Sequence, residues 1–252
     1  MKAVILAAGY NRRLQGIIDV PKTLLKIGET TILEKQIQAL KNAGLKKEEI
    51  YVISGYKREL IEAVHDKIIY NEKFMEFDNA YSVYLALNFI TDKMNKDESV
   101  LIFDGDLVYD DQLIKQIMNS NKKDIIVTKK IDFSSKLKDE TMIIDENKKI
   151  IKMTIPTKGI NLEGIWQEKQ LYTYIGILGI SKNNAIKLKN DLSTSEMQKG
   201  WYTIPLVDIV NNGEFYSVEI PDGLKFCFDI DNPEDCERLK SINEEAKWKQ
   251  LF

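Results

Sequence analysis

The chain has 252 residues and is 44% hydrophobic, enough for one sizeable α/β core. Its formal net charge of −3 and pI near 5.5 argue against a nucleic-acid surface. No apolar run approaches the ~20 residues of a membrane helix, and Met1-Lys2-Ala3 leads straight into a strand-like segment. The expectation is a cytoplasmic protein with no leader and no membrane insertion.

Strands are predicted at Lys2–Leu6, Ile50–Ser54, Lys67–Tyr70 and Val100–Phe103. Helical patterns fall between them at Thr31–Ala43, Lys57–His65 and Ala80–Ile90. Thr30 or Thr31 can cap the first helix, with Glu34 near the capping-box position and Gly44 just past its end. This alternation predicts a Rossmann-like α/β fold whose mixed, mostly parallel sheet is flanked by helices. The second half is richer in strands: Asp124–Lys130, Thr141–Asp145 and Ile150–Ile155, with a turn at Glu146-Asn147-Lys148. Leu171–Ile180 reads as a longer strand carrying Tyr172 and Tyr174. Helices at Lys182–Asp191 and Ile204–Asn211, strands at Phe215–Glu219 and Lys225–Asp229, and a helix at Pro233–Trp248 complete the chain. No linker or repeat divides it, so a single domain over 1–252 is expected.

The first strand, Ala3-Val4-Ile5-Leu6, runs into Ala7-Ala8-Gly9-Tyr10-Asn11-Arg12-Arg13-Leu14, and Pro21-Lys22 follows. Small residues let a ligand approach the backbone. Backbone N–H groups and the cations then face its charge, which suits a polyphosphate. The segment is neither a Walker A loop nor a G-x-G-x-x-G fingerprint.

Two acidic pairs sit at strand ends. Phe103-Asp104-Gly105-Asp106 reads either as a turn whose Asp caps a helix or as a cation site built on a strand's carboxyl end. Phe228-Asp229-Ile230-Asp231, before Asn232-Pro233, reads as another helix cap or as the second half of that cation site. Two acids together suit Mg²⁺, which takes one or two carboxylates plus phosphates and waters. Cys227 and Cys236 have no metal-type spacing and are expected as reduced thiols. His65 is the chain's one histidine, which excludes a multi-His metal site; its polar helical stretch predicts a surface position.

The opening resembles the signature of nucleotidyltransferases, L-A-A-G-x-G-x-R-L followed by P-K, with Asn11 where that family usually has a second Gly. The resemblance implies that the backbone of Leu6, Ala7, Ala8 and Gly9 binds a nucleotide, with Arg13 and Lys22 as the catalytic cations. It implies Mg²⁺ between Asp106 and Asp231, with Asp229 as the other candidate for the late ligand and Asp104 close to the nucleotide. It divides the domain into a mainly nucleotide-binding half over 1–130 and a small strand-rich acceptor lobe over 131–225.

A narrower stretch, Asn71-Glu72-Lys73-Phe74 and Asp78-Asn79-Ala80-Tyr81-Ser82, resembles the N-x-x-Y-S element of small-molecule cytidylyltransferases of the bacterial phosphocholine cytidylyltransferase type. It implies CTP, with Asn79 and Ser82 at the base or ribose; Asn79 also reads as a helix cap, with Tyr81 and Tyr84 as core. By approximate alignment the choline-cage positions fall near Thr141 and Leu206-Val207, none of them aromatic. Trp166, Tyr172, Tyr174, Trp201 and Tyr202 either build a different cage or pack the core. The acceptor candidates are Tyr172, Tyr174, Trp201, Asp208 and Asp229. The resemblance thus implies a small polar phospho-acceptor such as L-glutamine phosphate or 2-aminoethylphosphonate, and a CDP-conjugate for bacterial surface polysaccharide. A sugar-1-phosphate nucleotidyltransferase using UTP or dTTP, a GT-A glycosyltransferase and a catalytically dead nucleotide-binding protein stand as alternatives. A monomer or homodimer is expected, with Trp248 and Leu251-Phe252 packing on the domain or on a partner subunit.

Overall fold

Ala3, Val4 and Ile5 are all fully buried, because the first strand has a parallel neighbour on each edge and helices over each face. The computed structural model describes residues 1–131, 139–155, 169–221 and 227–249, with side chains to 242. The elements are β1 (Lys2–Ala7), β2 (Lys26–Ile27), β3 (Thr30–Thr31), α1 (Ile32–Asn42), β4 (Ile50–Ser54), α2 (Arg58–Glu62), β5 (Ile68–Tyr70) and α3 (Asn79–Ile90). Then come β6 (Ser99–Asp104), β7 (Leu107–Tyr109), α4 (Gln112–Asn119), β8 (Ile125–Ile131), β9 (Thr141–Ile144), β10 (Ile150–Thr154) and β11 (Leu171–Ser181). The chain closes with α5 (Lys182–Asp191), α6 (Ser195–Gln198), α7 (Thr203–Asn211), β12 (Tyr216–Glu219), β13 (Cys227–Asp229) and α8 (Pro233–Lys249). Trp166, Lys225, the Trp248 side chain and Leu251-Phe252 lie outside the described residues.

A nine-stranded sheet runs β10-β9-β11-β6-β1-β4-β5, with β8 joining β11 to β12. Its β6-β1-β4-β5 part is parallel. The strand-rich second half extends this same sheet, entering through β11, which pairs antiparallel with β6, β8 and β9. Alternate residues of β1 feed two cores. Val4 packs with Val83, Leu87, Leu188 and Leu206 under α3, α5 and α7. Ile5 packs with Leu33, Leu40, Leu113 and Ile117 under α1 and α4.

Thr31 caps α1 in a full capping box with Glu34. The 145–149 turn forms as predicted, with Lys148 at φ 64°. His65 departs from expectation: it is 4% exposed, and its Nε2 lies 2.8 Å from the Ile50 carbonyl oxygen. The polar residues around it face water while the imidazole ties the end of α2 to the start of β4.

Successive strands leave β1 on opposite sides, β4 on one and β6 on the other. That reversal opens a crevice beyond their carboxyl ends, where ligands bind in open α/β sheets. A third apolar cluster of Leu14, Ile32, Val108, Phe228, Ile230 and Leu239 fixes the rim of this crevice to β7, β13 and α8.

Candidate functional site

The crevice is a cavity of about 1100 Å³, near the top of the range for small-molecule sites. Its floor is the exit of β1, with Leu6, Ala7, Ala8 and Gly9 along the wall. The floor is tight. The Gly105 amide donates to the Leu6 carbonyl at 3.0 Å, and a Cβ on Gly105 would sit 2.3 Å from that oxygen.

Asn11 adopts the left-handed conformation, φ 55° and ψ 39°. Asn is among the few non-glycine residues that tolerate it, so the loop keeps its shape without the second glycine. The Asn11 side chain adds two tethers: Nδ2 donates to the Val20 carbonyl at 2.7 Å, and Oδ1 accepts from the Lys22 amide at 3.3 Å.

These tethers aim Lys22 at the centre of the cavity. Its Nζ forms a short ion pair with Asp106 and lies 3.1 Å from Asp231 Oδ1. Arg13 Nη1 reaches the other Asp231 oxygen at 2.9 Å. The two acids meet because β13 pairs antiparallel with β7, and the Ile230 amide donates to the Asp106 carbonyl at 3.2 Å. Burial pulls the Lys22 pKa down, but Asp106 and then Asp231 outweigh it and hold the ammonium above its ordinary value. Burial pushes Asp231 up, and Lys22 and Arg13 together bring it below the usual carboxylate range. Burial, then Asp106, Glu140 and Asp229, push Asp104 well above that range.

Asp106 and Asp231 therefore converge on one positive charge. Two such carboxylates fit Mg²⁺ arriving with phosphates and waters. Among the described residues no group of three acids, histidines or cysteines forms a cage for an ion. Asp231, not Asp229, shares the Lys22 ammonium with Asp106.

One side wall is largely uncharged. Asn79 and Ser82 stand three residues apart on α3, so they share a face. Asn79 Oδ1 accepts from the Tyr202 amide at 3.2 Å, which leaves its amide nitrogen as the donor end of the side chain. Asn71 Oδ1 accepts from the Lys73 amide at 2.9 Å, so Asn71 Nδ2 is the group that donates to Ser82 Oγ at 3.0 Å. Ser82 thus keeps its own proton to give. The helix cap that Asn79 also resembled is made by Asp78.

A further part of the lining carries Asp104, Asp139, Glu140 and Asp229 with Tyr174, Tyr202 and Trp201, and it joins the first at the Asn79–Tyr202 hydrogen bond. The Tyr174 and Tyr202 hydroxyls lie 2.5 Å apart, and the Thr203 hydroxyl makes a short hydrogen bond to Glu140. Gly176, at φ 88° in a bulge of β11, leaves room for Asp104: a Cβ there would sit 2.7 Å from Asp104 Oδ2. Sequence reasoning missed Glu140 and Thr203, which carry no motif.

Two expected acceptor residues are not in the cavity. Tyr172 is 8% exposed and packs in the larger core beside Met142 and Met153. It shares a strand face with Tyr174 but lies two residues further along β11 from the point where that strand meets the end of β6. Asp208 is exposed on α7, on a turn that points away from the crevice lining.

Fold and site together define an α/β protein that gathers cations and carboxylates at the exits of parallel strands, as phosphate-handling proteins do. Residues 3–133, just over half of the chain, match the MobA-like NTP transferase domain, and the chain belongs to that family. The chain is 27% identical over 136 residues to a CTP:phosphoglutamine cytidylyltransferase of Campylobacter jejuni, covering 52% of this chain and 53% of that protein. It is 26% identical over 216 residues to a 2-aminoethylphosphonate cytidylyltransferase of Lancefieldella rimae, covering 83% and 79%. The chain spans about half or less of the length of several curated relatives it matches. Its fold is that of a CTP:phosphocholine cytidylyltransferase from Streptococcus pneumoniae, with a TM-score of 0.70 at 19% identity over 96% of this chain and 98% of that one.

Proposed function

We propose that this protein is a Mg²⁺-dependent cytidylyltransferase, converting CTP and a small phosphorylated acceptor into a CDP-conjugate and pyrophosphate. The convergence of Arg13 and Lys22 on Asp106 and Asp231 at the strand exits carries the reading. An oxygen of the acceptor phosphate attacks the α-phosphorus and forms the new P–O bond. The bond from α-phosphorus to the bridging oxygen breaks, and pyrophosphate leaves with that electron pair. The attacking oxygen already bears charge, so no general base is required, and catalysis is positioning and charge stabilisation. Lys22 lies between the α-phosphate and the acceptor phosphate, and Arg13 holds the β- and γ-phosphates. Asp106 and Asp231 would hold Mg²⁺, which would neutralise charge on the phosphates.

The donor pair on α3 favours cytosine. Asn79 offers N–H and Ser82 offers O–H. Cytosine presents two adjacent acceptors, O2 and N3, whereas uracil has an N–H donor at N3.

The Glu140 carboxylate and the Thr203 and Tyr174 hydroxyls can accept N–H hydrogen bonds, which an amino-bearing head offers and a trimethylammonium does not, so L-glutamine phosphate or 2-aminoethylphosphonate is favoured over phosphocholine. A conjugate of that kind suits modification of a bacterial surface polysaccharide. The test is pyrophosphate release with Mg²⁺, taking CTP, UTP, GTP, ATP and dTTP against phosphocholine, glutamine phosphate, 2-aminoethylphosphonate and glucose 1-phosphate. Turnover with CTP and an amino-bearing acceptor is expected. Turnover confined to UTP or dTTP with glucose 1-phosphate would overturn the reading.

A further inference from the structure

Part of the cavity lining is uncharged, and an aromatic pair stands in the same lining. The cations Arg13 and Lys22 mark the phosphate end. Lys129, Asp139 and Glu140 line another part of the cavity. A neutral heteroaromatic base is left the wall of Asn71, Asn79 and Ser82. Two rings flank that wall and line the same cavity, Tyr10 and Phe74, with centroids 6.3 Å apart.

Both rings are held from behind. Tyr56 meets Tyr10 edge to face at 5.0 Å, and both residues also line a small second cavity. The Tyr56 amide donates to the Ala8 carbonyl at 3.2 Å, fixing that ring to the floor of the site. Phe74 is seated on Gly55, where a Cβ would lie 2.7 Å from the Phe74 Cβ. Arg12 Nη2 donates to the Met75 carbonyl at 3.1 Å, joining the segment that carries Phe74 to the loop that carries Tyr10.

On the cytidylyltransferase reading above, we infer that Tyr10 and Phe74 form a stacking wall for the nucleobase, with Tyr56 and Arg12 as positioning residues. Every base has a π-face, so such a wall supplies affinity with no preference among bases. Choice of base then rests on Asn79 and Ser82. The two duties separate by experiment.

Equilibrium binding of CTP, UTP and inorganic tripolyphosphate by calorimetry, on wild type and on Tyr10→Leu, Tyr10→Ala and Tyr10→Phe, tests this. Leu keeps the apolar packing on Tyr56 without a π-face, so it guards against a folding artefact in Ala. Tyr10→Leu and Tyr10→Ala are expected to weaken CTP and UTP by a similar factor, about tenfold. Tripolyphosphate affinity is expected to stay as in wild type, and Tyr10→Phe to restore both nucleotides. Unchanged CTP affinity in Tyr10→Leu, or a parallel loss of tripolyphosphate, would overturn the stacking wall while leaving the enzyme reading intact. A wild-type protein that binds no nucleoside triphosphate would overturn that reading and the wall with it.

Discussion

The side chain of Asn11 holds the backbone of Lys22: its Oδ1 accepts the Lys22 amide at 3.3 Å across eleven residues of loop. The same side chain ties the Val20 carbonyl at 2.7 Å, so one residue both takes the left-handed turn and closes it. Asn11→Gly keeps the turn and removes the tethers. It is expected to fold normally and to lower kcat/KM by about tenfold, the worth of one to two hydrogen bonds. Asn11→Ala adds the left-handed strain, about 1–2 kcal/mol, and is expected to lower the urea midpoint as well. Steady-state kinetics and urea titration separate the two effects.

Lys22 is the shared partner of two carboxylates, and on the proposed reaction its loss removes a cation where phosphate charge develops. One charge pair at ~4 Å in a partly dry site is worth about 4 kcal/mol before desolvation. Lys22→Ala is expected to lose roughly 10²–10³ in turnover with its far-ultraviolet circular dichroism unchanged. Asp106→Ala is expected to lose turnover too, and added Mg²⁺ should not recover it. Unfolding of either variant would mean that the cluster serves the fold instead.

Gly176 makes the space that Asp104 occupies. A Cβ 2.7 Å from the Asp104 carboxylate, on a backbone at φ 88°, has no low-energy solution. Gly176→Ala is expected to cost about 1–3 kcal/mol in a urea melt and to impair turnover by displacing Asp104. An unchanged midpoint would show that β11 can relax around the methyl group.

The capping box on α1 gives a pH dependence with a definite sign. The Thr31 amide, then the Thr31 hydroxyl, hold the Glu34 carboxyl below its ordinary value of 4.5. A carboxyl depressed in the folded state adds stability above its unfolded pKa and loses it as pH falls through the folded one. Wild type should exceed Glu34→Ala in stability at pH 7, and the gap should close in acid. Thr31→Ala is expected to cost about 1 kcal/mol at neutral pH. A gap that is constant with pH would rule out the ionic form of the box.

Much of the architecture was legible because burial on both faces leaves unbroken apolar runs: β1, β4 and β6 announce themselves in this way. The cluster of Arg13, Lys22, Asp106 and Asp231 was legible for a related reason. Small residues, cations and strand-end acids are chosen by chemistry and stand in the order the strands present them. The lining around Tyr174 and Glu140 was less so. Tyr172 and Tyr174 have the same parity on β11, and only distance along the strand sends one to the core and the other to the cavity. Asp208 looked like Asp229 as a residue type, but α7 turns it to solvent. His65 lay in a polar stretch, yet a single backbone carbonyl 15 residues upstream draws it inward. Helix α4 and strand β7 are short, and their apolar residues are filled by partners distant in sequence.

Lys22 and Asp231 are separated by 209 positions, and Asp231 reaches the cavity only once β13 has paired with β7. During synthesis the cradle around Gly9 and Lys22 exists long before its second counter-charge does. A nascent chain that has emerged only as far as α7 holds Lys22 against Asp106 alone, with Arg13 lacking its partner. The charge cluster is thus assembled only after β13 has been made, later than all the strands of the large sheet.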